Sequence, residues 1–308
     1  MLSTQRRKDW MNSFYGVLGT PGCRFAASAL AGAITTFGQH ILYWARDLVA
    51  RNGYEVLYGD TDSLFVLSGA TDDVEALGAL GTRVAALVNA ELASYTRDRY
   101  QVVSRIELEF EGIFRRFFLP PMRTVTDADD EEGESRGRAK GYAGLVVSPG
   151  PGGSVTEVLE VKGMEAVRHD WTPLAQELQR ELLGMVFHDA DPALIHERVR
   201  VLLREVRAGH CNPLLVYRKS LRKPVESYTR SSPPHARAAA LLPPEERTGL
   251  IRYVWTLEGP QPEGRTTAPL DYEHYVAKQV QPIVEAIAPF VGMDTESLFA
   301  AGGQLGLF

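Results

Sequence analysis

Two aspartates separated by a single residue form the strongest chemical signal, in the segment Tyr58-Gly59-Asp60-Thr61-Asp62-Ser63. Residues i and i+2 of an extended chain point the same way, so Asp60 and Asp62 can present both carboxylates to one face. Two such oxygen ligands suit Mg²⁺, which binds through one or two carboxylates together with substrate phosphates. A metal pair of this kind activates an attacking hydroxyl and neutralises a leaving pyrophosphate. The structural alternative is that aspartate simply favours tight turns.

A second candidate site lies near the start of the chain, in Lys8-Asp9-Trp10-Met11-Asn12-Ser13-Phe14-Tyr15-Gly16. Lys8, Asn12 and Tyr15 are spaced by four and three residues, so they share one face of a helix. A cation, an amide and an aromatic ring in that order suit a triphosphate, its sugar and a base pair. The ordinary alternative is that Lys8 and Asn12 are solvated and Tyr15 belongs to a core.

Hydrophobic periodicity predicts the elements that must position these residues. Helical spacing predicts three helices, at residues 6–18, 30–52 and 72–92. Two β-rich runs predict a hairpin around Asp60 and Asp62, with strands at 54–58 and 63–67. Alternating or β-rich runs predict four more strands, at 106–111, 114–119, 139–147 and 155–161. From Trp171 onwards the pattern is mainly helical, so we predict an α+β domain followed by a mainly helical one.

Composition limits the classes of protein that the chain can belong to. Its 308 residues, 44% of them hydrophobic, are enough for two domains with real cores. No apolar run approaches the ~18 residues that a membrane span needs, so none is predicted. The two cysteines and seven histidines show no zinc-binding spacing, and the cysteines suit a reducing cytosol.

Charge is distributed unevenly along the chain. The net charge of −6 argues weakly against a nucleic-acid partner. Between Arg204 and Arg237, however, eight basic residues stand against two acidic ones, whereas six acids crowd into Asp127 to Glu134. Local asymmetry matters more than the total for phosphate binding, because salt screens each charge beyond about 8–10 Å. The basic region therefore predicts a phosphate-binding surface.

Taken in order, these segments resemble DNA polymerases of family B. The Lys-x-x-x-Asn-Ser-x-Tyr-Gly helix followed by Tyr-Gly-Asp-Thr-Asp-Ser resembles the family's motifs B and C. Lys140-Gly141-Tyr142 is similar to its Lys-x-Tyr element, and residues 162–170 are similar to the segment that closes the palm. Residues 218–223, Tyr228 and residues 233–235 resemble the thumb. The resemblance covers nearly all of the chain.

The end of the chain points to one group within that family. Residues 304–308 resemble a bacterial sliding-clamp-binding peptide, and the paired cysteine clusters of eukaryotic replicative members are absent. The nearest group is therefore the bacterial DNA polymerase II group. The resemblance implies four parts: a fingers remnant at 1–22, a palm with an antiparallel sheet and helices at 23–170, a mainly helical thumb at 171–301 and a clamp-binding tail at 302–308.

The resemblance also implies template-directed DNA synthesis on primer–template DNA with dNTPs as substrates. Asp62 would be the principal ligand of a two-Mg²⁺ site and Asp60 a secondary ligand. Lys8, Asn12 and Tyr15 would bind the incoming nucleotide. The implied DNA-binding residues are Lys140, Tyr142, Lys219, Arg222 and Lys223. The implied clamp-binding residues are Gln304, Leu305, Leu307 and Phe308.

The family's motif A, which brings the other metal-bridging carboxylate, is expected upstream of the Lys8 helix. We therefore expect a missing N-terminal polymerase portion to act as a partner, and the chain alone to be inactive. The alternative function is a non-catalytic module that binds DNA and the clamp. Other enzymes with a DxD palm, such as nucleotide cyclases and reverse transcriptases, fit poorly because neither explains the Lys8–Tyr15 helix or the basic C-terminal part. Arg168 and Asp170 are either an ion pair or DNA contacts.

Overall fold

A computed structural model of the chain describes residues 15–69, 71, 73–120, 141–150, 152, 154–228, 232–247 and 249–300. The chain divides into two compact units, and each has its own hydrophobic core. The first unit contains Met1–Ile113 and Ser148–Val155, and the second contains Phe114–Val147 and Thr156–Phe308. Helices and small sheets together make the fold class α+β, as the sequence predicts.

The described part of the first unit consists mainly of two helices and a hairpin. In chain order these elements are α1 (Ser28–Arg51), β1 (Glu55–Asp60), β2 (Ser63–Leu67) and α2 (Val74–Tyr100). Residues 15–19 are helical as well. The predicted helix at 30–52 and the predicted hairpin are confirmed, and the helix predicted at 72–92 continues to Tyr100.

Helix spacing explains how the first unit holds its hairpin. Ala45, Leu48 and Val49 recur on one side of α1 and are buried with Val88 of α2. Partly buried hairpin side chains pack against this small core, namely Val56, Leu64 and Val66. Asp73 caps the start of α2, and its side-chain carboxylate accepts 3.0 Å hydrogen bonds from two backbone N–H groups of the first turn.

The strand predicted at 106–111 is wrong, because these residues are not assigned to a strand and pair with none of the strands in the described ranges. The Asn89 side-chain amide takes the place of a neighbouring strand. It accepts a 2.8 Å hydrogen bond from the Leu108 backbone N–H and donates a 2.8 Å hydrogen bond to the Leu108 carbonyl. The segment is therefore tied to α2 by one side chain, while its alternating glutamates remain exposed.

In the described residues, two further sheets and six α-helices belong mainly to the second unit. The strands are β3 (Ile113–Phe118), β4 (Tyr142–Pro149), β5 (Val155–Lys162), β6 (Tyr217–Ser220), β7 (Leu250–Thr256) and β8 (Gly259–Pro262). The helices are α3 (Pro173–Phe187), α4 (Pro192–Arg207), α5 (Pro234–Ala240), α6 (Tyr272–Tyr275), α7 (Gln281–Val291) and α8 (Thr295–Ala300). A π-helical turn at Val276–Val280 joins α6 to α7. Strands β3, β4 and β5 form one sheet in that order and match three sequence-predicted strands.

Helices α3, α4 and α7 bury one large core. Leu182 and Leu183 of α3, Ile195 of α4 and Ile283 and Ile287 of α7 are almost inaccessible to solvent. Both α3 and α4 begin with proline in the first turn, where its missing N–H costs no helical hydrogen bond. None of the helices in the described ranges is long and apolar enough to cross a membrane.

Strands β6, β7 and β8 form an antiparallel sheet that was not predicted from the sequence. Strand β7 does show the signal, because exposed Leu250 and Arg252 alternate with buried Ile251 and Tyr253. Strand β8, Gly-Pro-Gln-Pro, contains no β-forming residue. Its prolines are tolerated because β8 lies at the edge of the sheet. The predicted mainly helical C-terminal part is therefore helical with an inserted sheet.

Candidate catalytic hairpin and nucleic-acid interface

The hairpin turns sharply at the predicted metal-binding residues. Asp60 and Ser63 are the last paired residues, so Thr61 and Asp62 form the connection. Thr61 has a φ of 48° and the Asp62 N–H donates to the Asp60 carbonyl, which closes a very tight turn. A β-branched residue in the left-handed region is strained by roughly 1–3 kcal/mol, and such strain is concentrated at functional sites.

The geometry of the turn differs from the extended chain on which the shared face of Asp60 and Asp62 was predicted. Asp60 ends a strand whereas Asp62 belongs to the turn, so the alternation of an extended strand does not extend across the tip. Neighbouring hydroxyls instead orient the side chains. The Thr61 hydroxyl donates to Asp60 Oδ1 at 3.0 Å, and the Ser63 hydroxyl donates to Asp62 Oδ1 at 3.3 Å.

The two carboxylates fit part of a Mg²⁺ site. Asp62 is exposed and Asp60 is half-buried, and no Lys, Arg or His of the described ranges forms an ion pair with either. Within those ranges, no cluster of three or more His, Cys, Asp and Glu side chains is placed to hold a metal. Because Mg²⁺ takes one or two protein carboxylates and completes its shell with phosphates and water, two aspartates are a suitable partial ligand set.

Close packing supports the hairpin just before its tip. The Tyr58 and Phe65 rings lie 5.6 Å apart across the strands. At Gly59, an added Cβ would lie 3.3 Å from Leu64 Cδ2 and 4.0 Å from Leu42 Cδ2 of α1. The glycine therefore leaves room for the Leu64 side chain of the neighbouring strand, directly beside Asp60.

Of the three predicted nucleotide-binding residues, only Tyr15 lies in the described ranges; Lys8 and Asn12 lie outside them. Tyr15 is 43% exposed. Its hydroxyl lies 2.8 Å from the Thr35 hydroxyl of α1, which in turn donates to the Ala31 carbonyl. Tyr15 therefore remains partly accessible while its hydroxyl contacts α1.

The predicted primer-binding pair is described only in part, because Lys140 lies outside the described residues. Tyr142 is 6% exposed, and its ring centroid lies 5.3 Å from that of Phe117. The Lys162 ammonium lies 5.6 Å from the Tyr142 ring centre and 2.9 Å from the Glu160 carboxylate. Hydrogen bonding to Tyr142, and then to Glu160, raises the pKa of Lys162. Tyr142 is thus part of a packed cluster whose accessible cation is Lys162.

The predicted DNA-binding residues of the second unit lie on β6 and the loop that follows it. Lys219 is half-buried on β6, while Arg222 and Lys223 are exposed. The Lys223 ammonium lies 4.5 Å from the Tyr228 ring centre, and the Arg222 backbone N–H donates to the Tyr228 hydroxyl at 3.3 Å. Tyr228 therefore holds the loop that carries both cations.

These cations differ from most of the second unit's arginines in the described ranges, which are paired with carboxylates. The paired arginines include Arg198, Arg204, Arg207, Arg247 and Arg265. In the part of the chain that the structure describes, no carboxylate lies within ion-pair distance of Arg218, Lys219, Arg222 or Lys223. Their charge is therefore available to an external anion.

Arg168 and Asp170 form an ion pair, which was one of the two alternatives for them. The guanidinium donates to both carboxylate oxygens, at 3.0 and 2.6 Å. Burial acts to raise the pKa of Asp170, but the hydrogen bond and charge of Arg168, together with the charge of Lys219, outweigh it and lower that pKa. Lys219 is therefore close to a carboxylate without being paired to it.

Comparison with known proteins places the chain in a family. The family model for DNA polymerase family B matches residues 7–124 and 137–252, which is well over half of the sequence. The chain belongs to DNA polymerase family B. The matched ranges contain Asp60, Asp62, Tyr142, Lys219, Arg222 and Lys223.

Several relatives share this similarity. DNA polymerase II of Escherichia coli is 42% identical over 99% of this chain, and DNA polymerase 2 of Aeropyrum pernix is 30% identical over 95% of it. The DNA polymerase alpha catalytic subunit of Mus musculus is 28% identical over 92%. The family-B chain spans 38%, 32% and 19% of the lengths of these three relatives, respectively.

Two features of this family-B chain were not assigned from its sequence. Tyr228 was assigned only to the resemblance to the thumb. The signal that could have found it is an aromatic residue five positions after Lys223, because cations pack on aromatic rings. Arg218 received no role, and its position opposite Arg252 depends on a sheet pairing that no local pattern reveals. The clamp-binding residues predicted at 304–308 lie outside the described residues.

Proposed function

We propose that this chain provides the catalytic hairpin and the DNA-holding surface of a template-directed DNA polymerase. The observation that carries the proposal is the Asp60–Asp62 pair, which lies at a strained, closely packed turn in a chain of DNA polymerase family B. Its substrates are a dNTP and the 3′ end of a primer paired to a template.

The residues of the chain take separate roles in this proposal. Asp62 is the principal metal ligand and Asp60 a secondary one, and the Thr61 and Ser63 hydroxyls keep the two carboxylates oriented. Bound Mg²⁺ supplies activation of the primer hydroxyl and neutralisation of the leaving pyrophosphate. The exposed position of Asp62 leaves room for the substrate phosphates that complete such a shell.

We assign the remaining predicted residues to substrate contacts. Lys8, Asn12 and Tyr15 bind the incoming nucleotide, and Lys140 with Tyr142 holds the primer near its 3′ end. Lys219, Arg222 and Lys223 hold duplex phosphates, which suits an enzyme that must copy any sequence, because phosphate contacts carry no sequence information. In the same proposal, residues 1–22 belong to the fingers, 23–170 to the palm, 171–301 to the thumb and 302–308 to a tail that binds a bacterial sliding clamp.

The test uses a hybrid polymerase in which this chain replaces the corresponding 38% of E. coli DNA polymerase II. We expect Asp62→Asn to lower primer extension by roughly 10²–10³-fold or more while duplex binding stays intact, because the amide keeps the shape but loses the charge. Asp47→Asn is the matched control, since Asp47 is an exposed aspartate of the same unit. Extension at the wild-type rate by the Asp62→Asn hybrid would mean that the hairpin is only a turn.

The second candidate is a non-catalytic DNA- and clamp-binding module. The cations around Lys219, which have no carboxylate partner in the described ranges, support this module as well as they support the polymerase, because they need no metal site to bind phosphates. The hybrid separates the two functions. Extension that depends on Asp62 supports the polymerase, whereas a hybrid that binds duplex DNA but extends no primer supports the module.

A further inference from the structure

Two arginines face each other directly across neighbouring strands of the second unit. Arg218 of β6 and Arg252 of β7 are partners in the antiparallel register, and both side chains are exposed. Side chains at directly opposed positions have Cβ atoms only about 4.5–5.5 Å apart, and like charges placed there destabilise a sheet. An anion near both guanidinium groups would remove this cost.

Glu263, which follows β8, partly meets that need. Its carboxylate accepts two hydrogen bonds from the Arg252 guanidinium, one of them at 2.9 Å. The hydrogen bond from Arg252 lowers the pKa of Glu263, and the charge of Arg218 adds to this effect. No carboxylate of the described ranges pairs with Arg218. Among the described residues, Glu263 therefore pairs with Arg252 alone, while the nearby charge of Arg218 leaves a local excess of positive charge.

The position of Arg218 separates it from the other candidate DNA-binding residues. Successive residues of a strand point to opposite faces, so Arg218 lies on the exposed face of β6 and Lys219 on the opposite one. Strand β6 is an edge strand of its sheet. A nucleic-acid backbone that passes this edge can therefore meet cations from both faces.

We propose that Arg218 and Arg252 form a further phosphate-binding site for the nucleic-acid backbone, and that Glu263 occupies it as an internal competitor. This inference rests on the proposed DNA-binding function. Guanidinium groups bind phosphate oxygens through paired hydrogen bonds, as Arg252 already binds the two Glu263 oxygens. A backbone phosphate contacts Arg218 and competes with Glu263 for Arg252.

Glu263→Gln tests the competition, because it releases Arg252 without changing the size of the side chain. Affinity of the 308-residue chain for a mixed-sequence DNA duplex is measured by fluorescence anisotropy across a range of salt concentrations. One additional phosphate contact steepens the log–log salt dependence by about 0.9, which corresponds to roughly eightfold tighter binding at about 0.1 M salt if the affinities converge at about 1 M. Arg218→Gln should remove one phosphate contact, both in the wild type and in the Glu263→Gln variant.

Glu246→Gln is the matched control, because it makes the same charge change and releases Arg265 from a similarly exposed ion pair. An equal effect of Glu246→Gln and Glu263→Gln would show a general charge effect and overturn the site. The site would also be overturned if Arg218→Gln left both the DNA affinity and the unfolding temperature unchanged. If neutralising Lys219, Arg222 and Lys223 together also left DNA affinity unchanged, the proposed DNA interface itself would be wrong. If DNA affinity fell in that triple variant but not in the Arg218 and Glu263 variants, only the Arg218–Arg252 site would be wrong.

Discussion

Replacing Lys219, Arg222 and Lys223 together with glutamine removes the charge on which the proposed DNA interface depends. Each phosphate contact contributes about 0.9 to the slope of log affinity against log salt, so three full contacts contribute about 2.7. Arg222 and Lys223 are exposed and have no carboxylate partner in the described ranges, so each should count fully. Lys219 is half-buried near Asp170 and should count for less, which gives an expected loss of slope between about 2 and 2.7.

The assay is anisotropy with a labelled duplex at several salt concentrations. Over a fourfold rise in salt, a slope difference of 2.7 changes relative affinity by about 40-fold, which is easily measured. The control triple variant replaces Arg204, Arg207 and Arg265, which has the same net charge change but alters arginines already held by Glu197, Glu273 and Glu246. If the control loses as much slope, net charge rather than this surface governs binding and the reasoning is refuted.

The remaining predictions concern stability and the tail. Burial lowers the pKa of His274 from 6.5 to about 4, so the unfolded chain takes up the proton first as pH falls. The neutral His274 therefore stabilises the fold fully above about pH 6.5. Between pH 6.5 and 4 the free energy of unfolding falls by about 2 kcal/mol after allowance for partial exposure. Urea titrations at pH 7.5 and 4.5 should therefore differ less for His274→Phe than for the wild type. Deleting residues 304–308 should abolish binding to a bacterial sliding clamp, measured by calorimetry, and leave the unfolding temperature unchanged.

Each of these has a clear contrary result. Phenylalanine retains the aromatic stack on Trp255, whose ring lies 4.1 Å from that of His274. An identical pH dependence in His274→Phe and the wild type would therefore assign the acid sensitivity to other groups. For the tail, a lower unfolding temperature with unchanged clamp affinity would show that residues 304–308 pack onto their own unit.

Local patterns predicted the elements that carry the aspartate pair. Apolar spacing gave α1, and β-rich runs on both sides of Gly-Asp-Thr-Asp gave the hairpin. The prediction of a strand at 106–111 was wrong, because alternation predicts an extended, half-buried chain but not the group with which its backbone pairs. The partner is the Asn89 amide, which lies nineteen positions from Leu108 and has no periodic signal. The tight turn at Thr61 was also not evident, since a β-branched residue normally avoids positive φ.

The second unit shows the same limit more clearly. Strand β8 contains two prolines in four residues, so propensity argues against a strand, and only its place at a sheet edge permits it. The direct opposition of Arg218 and Arg252 depends on the pairing of β6 with β7, which no local sequence pattern predicts. Basic composition therefore predicted a phosphate-binding surface, while the arrangement of its cations required the long-range strand pairing.

The two edges of the β6–β7–β8 sheet are guarded against pairing with a second copy of the chain. On one side, Pro260 and Pro262 lack the N–H groups that an incoming strand would need. On the other side, Arg218 and Lys219 place positive charge along the edge strand β6, and identical edges would repel each other. We therefore expect the cations proposed to hold DNA to disfavour edge-to-edge pairing as well. Charge-neutral variants at this edge should self-associate more readily at high concentration.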